Sequence, residues 1–186
     1  MIWNIPNMLT VLRIVLIPVF VLVFFSPYSW ANIASTAIFG LAALTDWLDG
    51  YLARRLKQLS VFGAFLDPVA DKLMVAVALV LLVQDNPTMI FAVPAAIIVG
   101  REIAISALRE WMSEIGERTK VKVSVIGKVK TTAQMVAILL LLFKSPIGPY
   151  QTHDVGMILI YVAAVLTLWS MIVYMRAAWP VIVGKQ

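Results

Sequence analysis

Four aspartates stand close together in a chain that is otherwise mostly apolar. They lie in the segment TDWLDGYLARRLKQLSVFGAFLDPVADKL, residues 45–73, as Asp46, Asp49, Asp67 and Asp71. The chain has 186 residues, of which 62% are hydrophobic and only 13% are charged. A carboxylate in such surroundings is costly unless cations or hydrogen bonds compensate its charge. The four aspartates are therefore the first candidates for chemistry.

Helical spacing places these aspartates on two faces. The first face carries Asp46, Asp49, Gly50 and Ala53, and the second carries Gly63, Asp67 and Asp71. Within each set the residues are three or four apart, so they line one side of a helix. Two antiparallel neighbouring helices can present these sides to each other. A divalent cation, or a pair of them, is the simplest way to neutralise the resulting charge cluster.

The available ligand atoms narrow the choice of metal ion. The chain has no cysteine and a single histidine, His153, which the topology below places on the other side of the membrane. An all-oxygen site suits Mg²⁺, Mn²⁺ or Ca²⁺ better than Zn²⁺. Two such cations on shared carboxylates typically hold a phosphoryl group. Arg54 is placed to bind a phosphate, and the small residues beside the aspartates allow close approach of a ligand.

Six apolar segments are long enough to form the helices that position these residues. They span about residues 8–25, 31–57, 62–84, 88–115, 124–143 and 154–178, and Pro, Asn, Asp and Gly occupy the breaks between them. The sequence thus predicts an all-α integral membrane protein, a six-transmembrane-helix bundle that forms one catalytic domain over residues 1–186. No soluble module remains to present a nucleic-acid site.

Basic residues predict the orientation of the bundle. They cluster after the second segment and between the fourth and fifth, whereas the loops SPYSW and QDNPT have none and the last loop has only Lys144. Lys and Arg of short loops stay on the cytoplasmic side, so both termini are predicted to be cytoplasmic. Asp46 then lies about 22 Å along its helix, near the inner edge of the hydrocarbon core. The other three aspartates fall at the same depth.

The aspartate segment resembles a known family. The pattern Asp46-x-x-Asp49-Gly50-x-x-Ala53-Arg54, then eight residues, then Gly63-x-x-x-Asp67-x-x-x-Asp71, matches the signature of the CDP-alcohol phosphatidyltransferase family at every defined position. The strings NIPNMLTVLRIVLIP, GREIAISALREW and GKVKTTAQM resemble the bacterial branch whose acceptor alcohol is sn-glycerol 3-phosphate. Together these stretches cover the first five segments.

The resemblance implies a reaction and a site. A phosphatidyl group would pass from CDP-diacylglycerol to sn-glycerol 3-phosphate, releasing CMP, at the cytoplasmic face of a bacterial plasma membrane in a protein that forms a homodimer. The four aspartates resemble ligands of Mg²⁺ or Mn²⁺, two ions in all, and Asp71 resembles the general base. The residues that resemble the CDP-diacylglycerol pocket are Asn7, Thr10, Asp49, Gly50, Ala53, Arg54, Ser60 and Gly63.

Basic residues near the inner face are candidates for the acceptor site. Arg101 lies about 20 Å into its helix, at the depth of the aspartates, and Arg109, Lys128 and Lys130 follow near the same face. An anionic acceptor needs such cations, whereas a neutral alcohol does not. The alternative is that these side chains extend to lipid phosphates. Glu102 is predicted to pair with a neighbouring arginine or to orient Arg101.

Two other functions remain open from the sequence. The first is an enzyme of the same family that uses phosphatidylglycerol, serine or an inositol phosphate as its acceptor. A transporter for divalent cations or protons is the alternative from another class, because intramembrane carboxylates often mark ion routes. The outer halves of the predicted helices carry almost no ionisable residue, which favours an enzyme at the interface over a route across the bilayer.

Overall fold

Six α-helices make up the computed structural model, which describes residues 4–56, 61–116 and 125–183. Within the helices, the side chains of residues 5–6, 47, 49–56, 61, 64 and 125–128 lie outside this description. The helices are α1 Ile5–Phe24, α2 Ala31–Leu56, α3 Val61–Asp85, α4 Met89–Glu114, α5 Val125–Phe143 and α6 Thr152–Ile182. In the described part of the chain no β-strand is present, so the prediction of an all-α protein with six helices is confirmed.

Local signals explain where the helices begin and end. At the start of α1, the side-chain oxygen of Asn4 accepts a hydrogen bond from the Asn7 backbone N–H at 3.0 Å, and a proline stands in the first turn. Both are typical of a helix N-terminus. At the end of α5, Lys144 has a φ of 59°, a left-handed conformation that terminates the helix. Each predicted boundary lies within four residues of the observed one.

Three of the described helices are long and apolar enough to cross a membrane, namely α1 from Asn7, α4 and α6. The described part of α5 contributes a shorter apolar stretch, Val129–Phe143. Large apolar side chains such as Leu22, Val80 and Val165 are also exposed. These features indicate an integral membrane protein. Membrane crossing by α2, α3 and α5 stays a prediction.

Helix α1 lies against both α2 and α3 and packs more extensively on each than α2 and α3 pack on each other. The sequence predicts that α2 and α3, as antiparallel neighbours, can present their aspartate faces to each other, and this stays a prediction. The observed packing adds α1, whose side chains bind an aspartate on each of the two helices. On the other side of the bundle, α5 and α6 form the closest pair, and α4 packs on α6.

The larger apolar core lies mainly in the half of the bundle away from the aspartates, and a smaller apolar cluster packs α4 on α6 in the other half. The fully buried members of the larger core include Phe20, Phe39, Leu79, Ile138 and Ile160, each from a different helix. Most of the buried polar residues lie in the other half, where α1, α3 and α5 begin and α2, α4 and α6 end. The fold thus separates a packing half from a polar half.

Candidate active site

Three buried polar residues form a stripe on α1. Asn7, Thr10 and Arg13 are spaced by three, so they share one face of the helix, and each is at most 3% exposed. The Thr10 hydroxyl donates a hydrogen bond to Oδ1 of Asp67 on α3. The Arg13 guanidinium donates to Oδ1 of Asp46 on α2 at 2.8 Å. One face of α1 therefore holds a carboxylate from each of the two neighbouring helices.

This arrangement fixes the relative depth of two aspartates. Thr10 and Arg13 are separated by about 4.5 Å along the axis of α1, from three residues at the helical rise. Their partners Asp67 and Asp46 consequently lie within about one turn of each other. The ion pair between Arg13 and Asp46 adds a second source of charge compensation to the divalent cations that the sequence predicts.

Asp71 lies between two small cavities. One, of about 10 Å³, is lined by Asp71 and Arg13 together with apolar residues of α2, α3 and α5. The other, of about 50 Å³, is lined by Asp71, Lys72, Glu102 and Lys130 among others. Asp71 is thus close to the residue that holds Asp46, and it shares a cavity with Glu102 of α4 and Lys130 of α5. No described side chain donates a hydrogen bond to Asp71.

The candidate ligand atoms of this region suit a hard cation. The hydrogen bonds from Arg13 and Thr10 go to Oδ1 of Asp46 and Oδ1 of Asp67, and because a carboxylate accepts through both oxygens, these bonds are compatible with metal binding. Every candidate ligand atom is a carboxylate oxygen, as Mg²⁺ and Mn²⁺ prefer. Among the side chains that the structure describes, no three His, Cys, Asp or Glu residues form a group that would hold an ion. Asp49 is outside that set, so the four-aspartate centre stays a prediction.

Cations from α4 and α5 meet on one carboxylate. Oε1 of Glu102 accepts hydrogen bonds from Arg101 at 3.1 Å and from Lys130. Arg101 also donates to the hydroxyl of Ser170 on α6 at 3.0 Å. Both Arg101 and Lys130 are buried. The prediction that Glu102 pairs with or orients Arg101 is confirmed, and its bond to Lys130 was not foreseen.

Tyr174 on α6 joins the two predicted acceptor arginines. Arg109 donates to the Tyr174 hydroxyl at 2.7 Å, and its guanidinium carbon lies 4.9 Å from the centre of the ring. The guanidinium carbon of Arg101 lies 5.5 Å from the same ring. These are cation–π distances. Arg101, Arg109 and Lys130 are therefore linked through Glu102 and Tyr174 into one cationic network.

Several predicted site residues lie outside the described part of the chain. The structure describes no side chain for Asp49, Gly50, Ala53, Arg54 or Lys128, although each belongs to a helix, and it does not describe Ser60 at all. Gly63 is described and is buried near the start of α3. Asn7 and Thr10 occupy the α1 stripe, and the Thr10 hydroxyl donates a hydrogen bond to Asp67, one of the predicted metal ligands.

Four residues of this region are absent from the sequence prediction, and of these only Arg13 carries a clear signal. Arg13 is a single basic residue in an apolar helix, three positions after Thr10, and an intramembrane charge is by default a functional hypothesis. Gln134 follows Lys130 by four residues and thus shares its face of α5. Ser170 and Tyr174 are four apart on α6. Uncharged residues of this kind give no signal of their own until the facing helix is known.

Polar residues at the other end of the bundle form a separate group. Lys144 pairs with Asp85 at 2.7 Å, and both line a cavity of about 240 Å³ together with His153. Asp85 is at the last position of α3, fourteen residues after Asp71 and about 21 Å further along the helix. This cavity is therefore distant from the aspartates.

Comparison with known proteins identifies relatives along nearly the whole chain. The family model for CDP-alcohol phosphatidyltransferase matches residues 3–169. A protein of Pseudomonas fluorescens is 55% identical over 178 residues, 95% of this chain and 91% of its own length. Proteins of Escherichia coli (strain K12) and Shigella flexneri serotype 5b are 55% and 56% identical over 176 residues, 95% of each chain. All three are named CDP-diacylglycerol–glycerol-3-phosphate 3-phosphatidyltransferase.

Proposed function

Because the chain belongs to the CDP-alcohol phosphatidyltransferase family, we propose that it transfers the phosphatidyl group of CDP-diacylglycerol to sn-glycerol 3-phosphate. The products are phosphatidylglycerol phosphate and CMP. The relatives that match 95% of this chain carry the names of enzymes with these two substrates. The reaction would serve phospholipid synthesis.

The observation that carries the proposal is the position of Asp71. It lies beside Arg13, which holds Asp46, and it lines a cavity with Lys130 and Glu102. A carboxylate between other carboxylates and a group of buried cations suits a reaction between a nucleotide diphosphate and an anionic acceptor. An acceptor alcohol without an anionic group would not require the cations.

On the donor side, Asp46, Asp49, Asp67 and Asp71 would hold two Mg²⁺ or Mn²⁺ ions. When bound, such ions stabilise charge on phosphoryl oxygens and on the departing nucleotide. Arg13 and Thr10 orient Asp46 and Asp67 through their hydrogen bonds. Asn7, Asp49, Gly50, Ala53, Arg54, Ser60 and Gly63 would line the nucleotide and its diphosphate, with Thr10 at the edge of that pocket.

On the acceptor side, the phosphate of glycerol 3-phosphate would bind to Arg101, Arg109, Lys128 and Lys130. Asp71 would take the proton of the acceptor's 1-hydroxyl, for which it must come within hydrogen-bond reach. The hydroxyl oxygen then attacks the phosphorus that carries diacylglycerol, and the bond from that phosphorus to the CMP oxygen breaks. Glu102 and Tyr174 keep the cations together before the acceptor arrives.

The distribution of basic residues and the polar half of the bundle support a proposed placement in the membrane. All six helices would cross a bacterial plasma membrane, with both termini and the active site on the cytoplasmic side. CDP-diacylglycerol would keep its acyl chains among the membrane lipids while its nucleotide meets the aspartates, and glycerol 3-phosphate would arrive from the cytoplasm. A homodimer is proposed from the family resemblance.

The test is release of CMP from CDP-diacylglycerol by the purified full-length protein. We expect release that requires sn-glycerol 3-phosphate, stops with a chelator and returns with Mg²⁺ or Mn²⁺. Serine, inositol phosphate and phosphatidylglycerol are supplied in parallel as acceptors. Release that depends on one of these and not on glycerol 3-phosphate would overturn the proposed acceptor.

A matched pair of substitutions on α3 locates the chemistry. Asp71→Asn should lower turnover by at least about a thousandfold, because it removes the proposed base and a metal ligand. Asp85→Asn makes the same chemical change at the far end of the same helix, where Asp85 pairs with Lys144. It should leave turnover close to that of the unmodified protein. Equal losses in the two variants would contradict the proposed location.

A further inference from the structure

Gln134 is a buried polar residue to which neither the sequence analysis nor the proposed mechanism assigns a role. It lies on α5 four residues after Lys130, so the two side chains share one face of the helix, one turn apart. Gln134 is 3% exposed. Its side-chain oxygen Oε1 is buried and accepts no hydrogen bond from any residue that the structure describes.

The surroundings of Gln134 indicate what would satisfy that oxygen. Gln134 lines the cavity of about 50 Å³ that also has Asp71, Glu102 and Lys130 on its walls. Buried polar atoms are almost always hydrogen-bonded, and an amide oxygen is an acceptor. An occupant of the cavity should therefore bring a donor to Oε1 while it contacts the neighbouring charged groups. A hydroxyl on a small phosphorylated alcohol has this chemistry.

We propose that Gln134 determines which acceptor is used, by accepting a hydrogen bond from the acceptor hydroxyl that does not attack phosphorus. The inference rests on the proposed function. In sn-glycerol 3-phosphate the attacking 1-hydroxyl and the phosphate are separated by the carbon that bears the 2-hydroxyl. With the 1-hydroxyl at Asp71 and the phosphate at Lys130, the 2-hydroxyl falls between them, inside the cavity that Gln134 also lines.

The consequence is selection against acceptors that lack this hydroxyl. A site that is built to hydrogen-bond a substrate hydroxyl discriminates strongly against the analogue without it, because the buried protein atom is then left without a partner. The monophosphate of propane-1,3-diol is such an analogue, since it retains the attacking hydroxyl and the phosphate and lacks only the 2-hydroxyl.

The experiment crosses two acceptors with two proteins. Initial rates of CMP release are measured with sn-glycerol 3-phosphate and with propane-1,3-diol monophosphate, for the unmodified protein and for Gln134→Met, which keeps the length of the side chain and removes its polar atoms. We expect the unmodified protein to prefer glycerol 3-phosphate in kcat/KM by about tenfold or more. Gln134→Met should lose that preference while its KM for CDP-diacylglycerol is unchanged. Val136→Ala, at an exposed position of α5, should retain the preference.

Each outcome decides the inference. If Gln134→Met kept the full preference, the effect of the substitution on kcat/KM would be independent of the 2-hydroxyl. Gln134 would then not contact that hydroxyl, and the proposal would be overturned. Equal use of both acceptors by the unmodified protein would also overturn the proposal. This test needs no variant, so it holds even if Gln134→Met fails to fold. Absence of CMP release with either acceptor would refute the proposed function itself, whereas release without preference would refute only the inference.

Discussion

At the scale of single residues, the hydroxyl of Thr10 is expected to orient a proposed metal ligand. It donates to Oδ1 of Asp67, and a hydrogen bond to a charged group contributes about 1.5–3 kcal/mol. Thr10→Val keeps the shape of the side chain and removes the donor. We expect turnover to fall by about tenfold to a hundredfold, with a higher Mg²⁺ concentration needed for half-maximal rate.

Thr10→Ser is the matched control for that change, since it retains the hydroxyl and removes only a methyl group. Its Mg²⁺ requirement should stay close to that of the unmodified protein. If Thr10→Val and Thr10→Ser showed the same Mg²⁺ dependence, the hydroxyl would have no orienting role.

The network around Glu102 gives a second prediction at this scale, on stability. Glu102→Gln leaves Arg101 and Lys130 buried without their shared carboxylate, and breaking a buried ion pair typically costs about 3–5 kcal/mol. Lys130→Met still leaves Glu102 paired with Arg101. Glu102→Gln should therefore lower the melting temperature in detergent more than Lys130→Met does, and the double variant should lose less than the sum of both.

The exposed pair at the other end of the bundle is the control for that experiment. Lys144 and Asp85 are each about one-third exposed, and surface ion pairs contribute at most about 1 kcal/mol. Lys144→Met should lower the melting temperature only slightly. A loss as large as that of Glu102→Gln would mean that burial of the charges is not the cause of the cost.

The sequence identifies the charged residues of this region. Asp46, Asp67 and Asp71 stand out by charge and by spacing, and so do Arg101 and Glu102. The bond of Thr10 to Asp67 and the contributions of Ser170 and Tyr174 became recognisable only with α1 and α6 in place, because a neutral hydroxyl in an apolar helix has many uses. Arg13 was recognisable as a basic residue inside an apolar helix, but the prediction of a metal site did not include it.

At the scale of helices, the contact between α5 and α6 depends on a missing side chain. A Cβ built on Gly156 of α6 would lie 2.8 Å from Leu141 Cγ and 3.3 Å from the backbone oxygen of Ala137, both on α5. Gly156→Ala should therefore force the pair apart and destabilise the protein by about 1–3 kcal/mol. The measurement is thermal unfolding in detergent.

Gly100 of α4 provides the matched control, because a Cβ at that position would meet nothing within 4 Å. Alanine is the better helix former by up to about 1 kcal/mol, so Gly100→Ala should leave the melting temperature unchanged or raise it slightly. Opposite signs for the two variants are expected. A stabilising effect of Gly156→Ala would show that α5 and α6 are less closely packed than the structure has them.

The helices themselves could be predicted well because long apolar runs ended by Pro, Asn and Gly leave few alternatives. The packing of one helix on another could not be predicted. Lipid and protein interior are equally apolar, so the sequence does not indicate which apolar face of a helix contacts another helix and which contacts lipid. For this reason the placement of α1 against both aspartate helices, and of α6 against the basic residues of α4, emerged only from the structure.

At the scale of the whole molecule, polar and apolar residues divide the bundle into two halves. Arg13, Arg101, Lys130 and Gln134 are buried in the half where the odd-numbered helices begin. The other half is filled by apolar side chains with few polar groups inside. A route for ions across the membrane would need polar groups along its full length, so this division favours chemistry at one face over transport.

The last prediction follows from this division and concerns orientation. If the polar half faces the cytoplasm, the end of α4 at Glu114 lies inside the cell and the turn between α3 and α4 at Asn86 lies outside. The chain has no cysteine, so Glu114→Cys and Asn86→Cys each introduce a single thiol, and neither position belongs to the proposed site. A maleimide that cannot cross membranes should label Asn86→Cys in intact cells and should label Glu114→Cys only after the membrane is opened. Labelling of Glu114→Cys in intact cells, with Asn86→Cys protected, would mean that the bundle has the opposite orientation. The aspartates would then lie on the side that cytoplasmic glycerol 3-phosphate cannot reach.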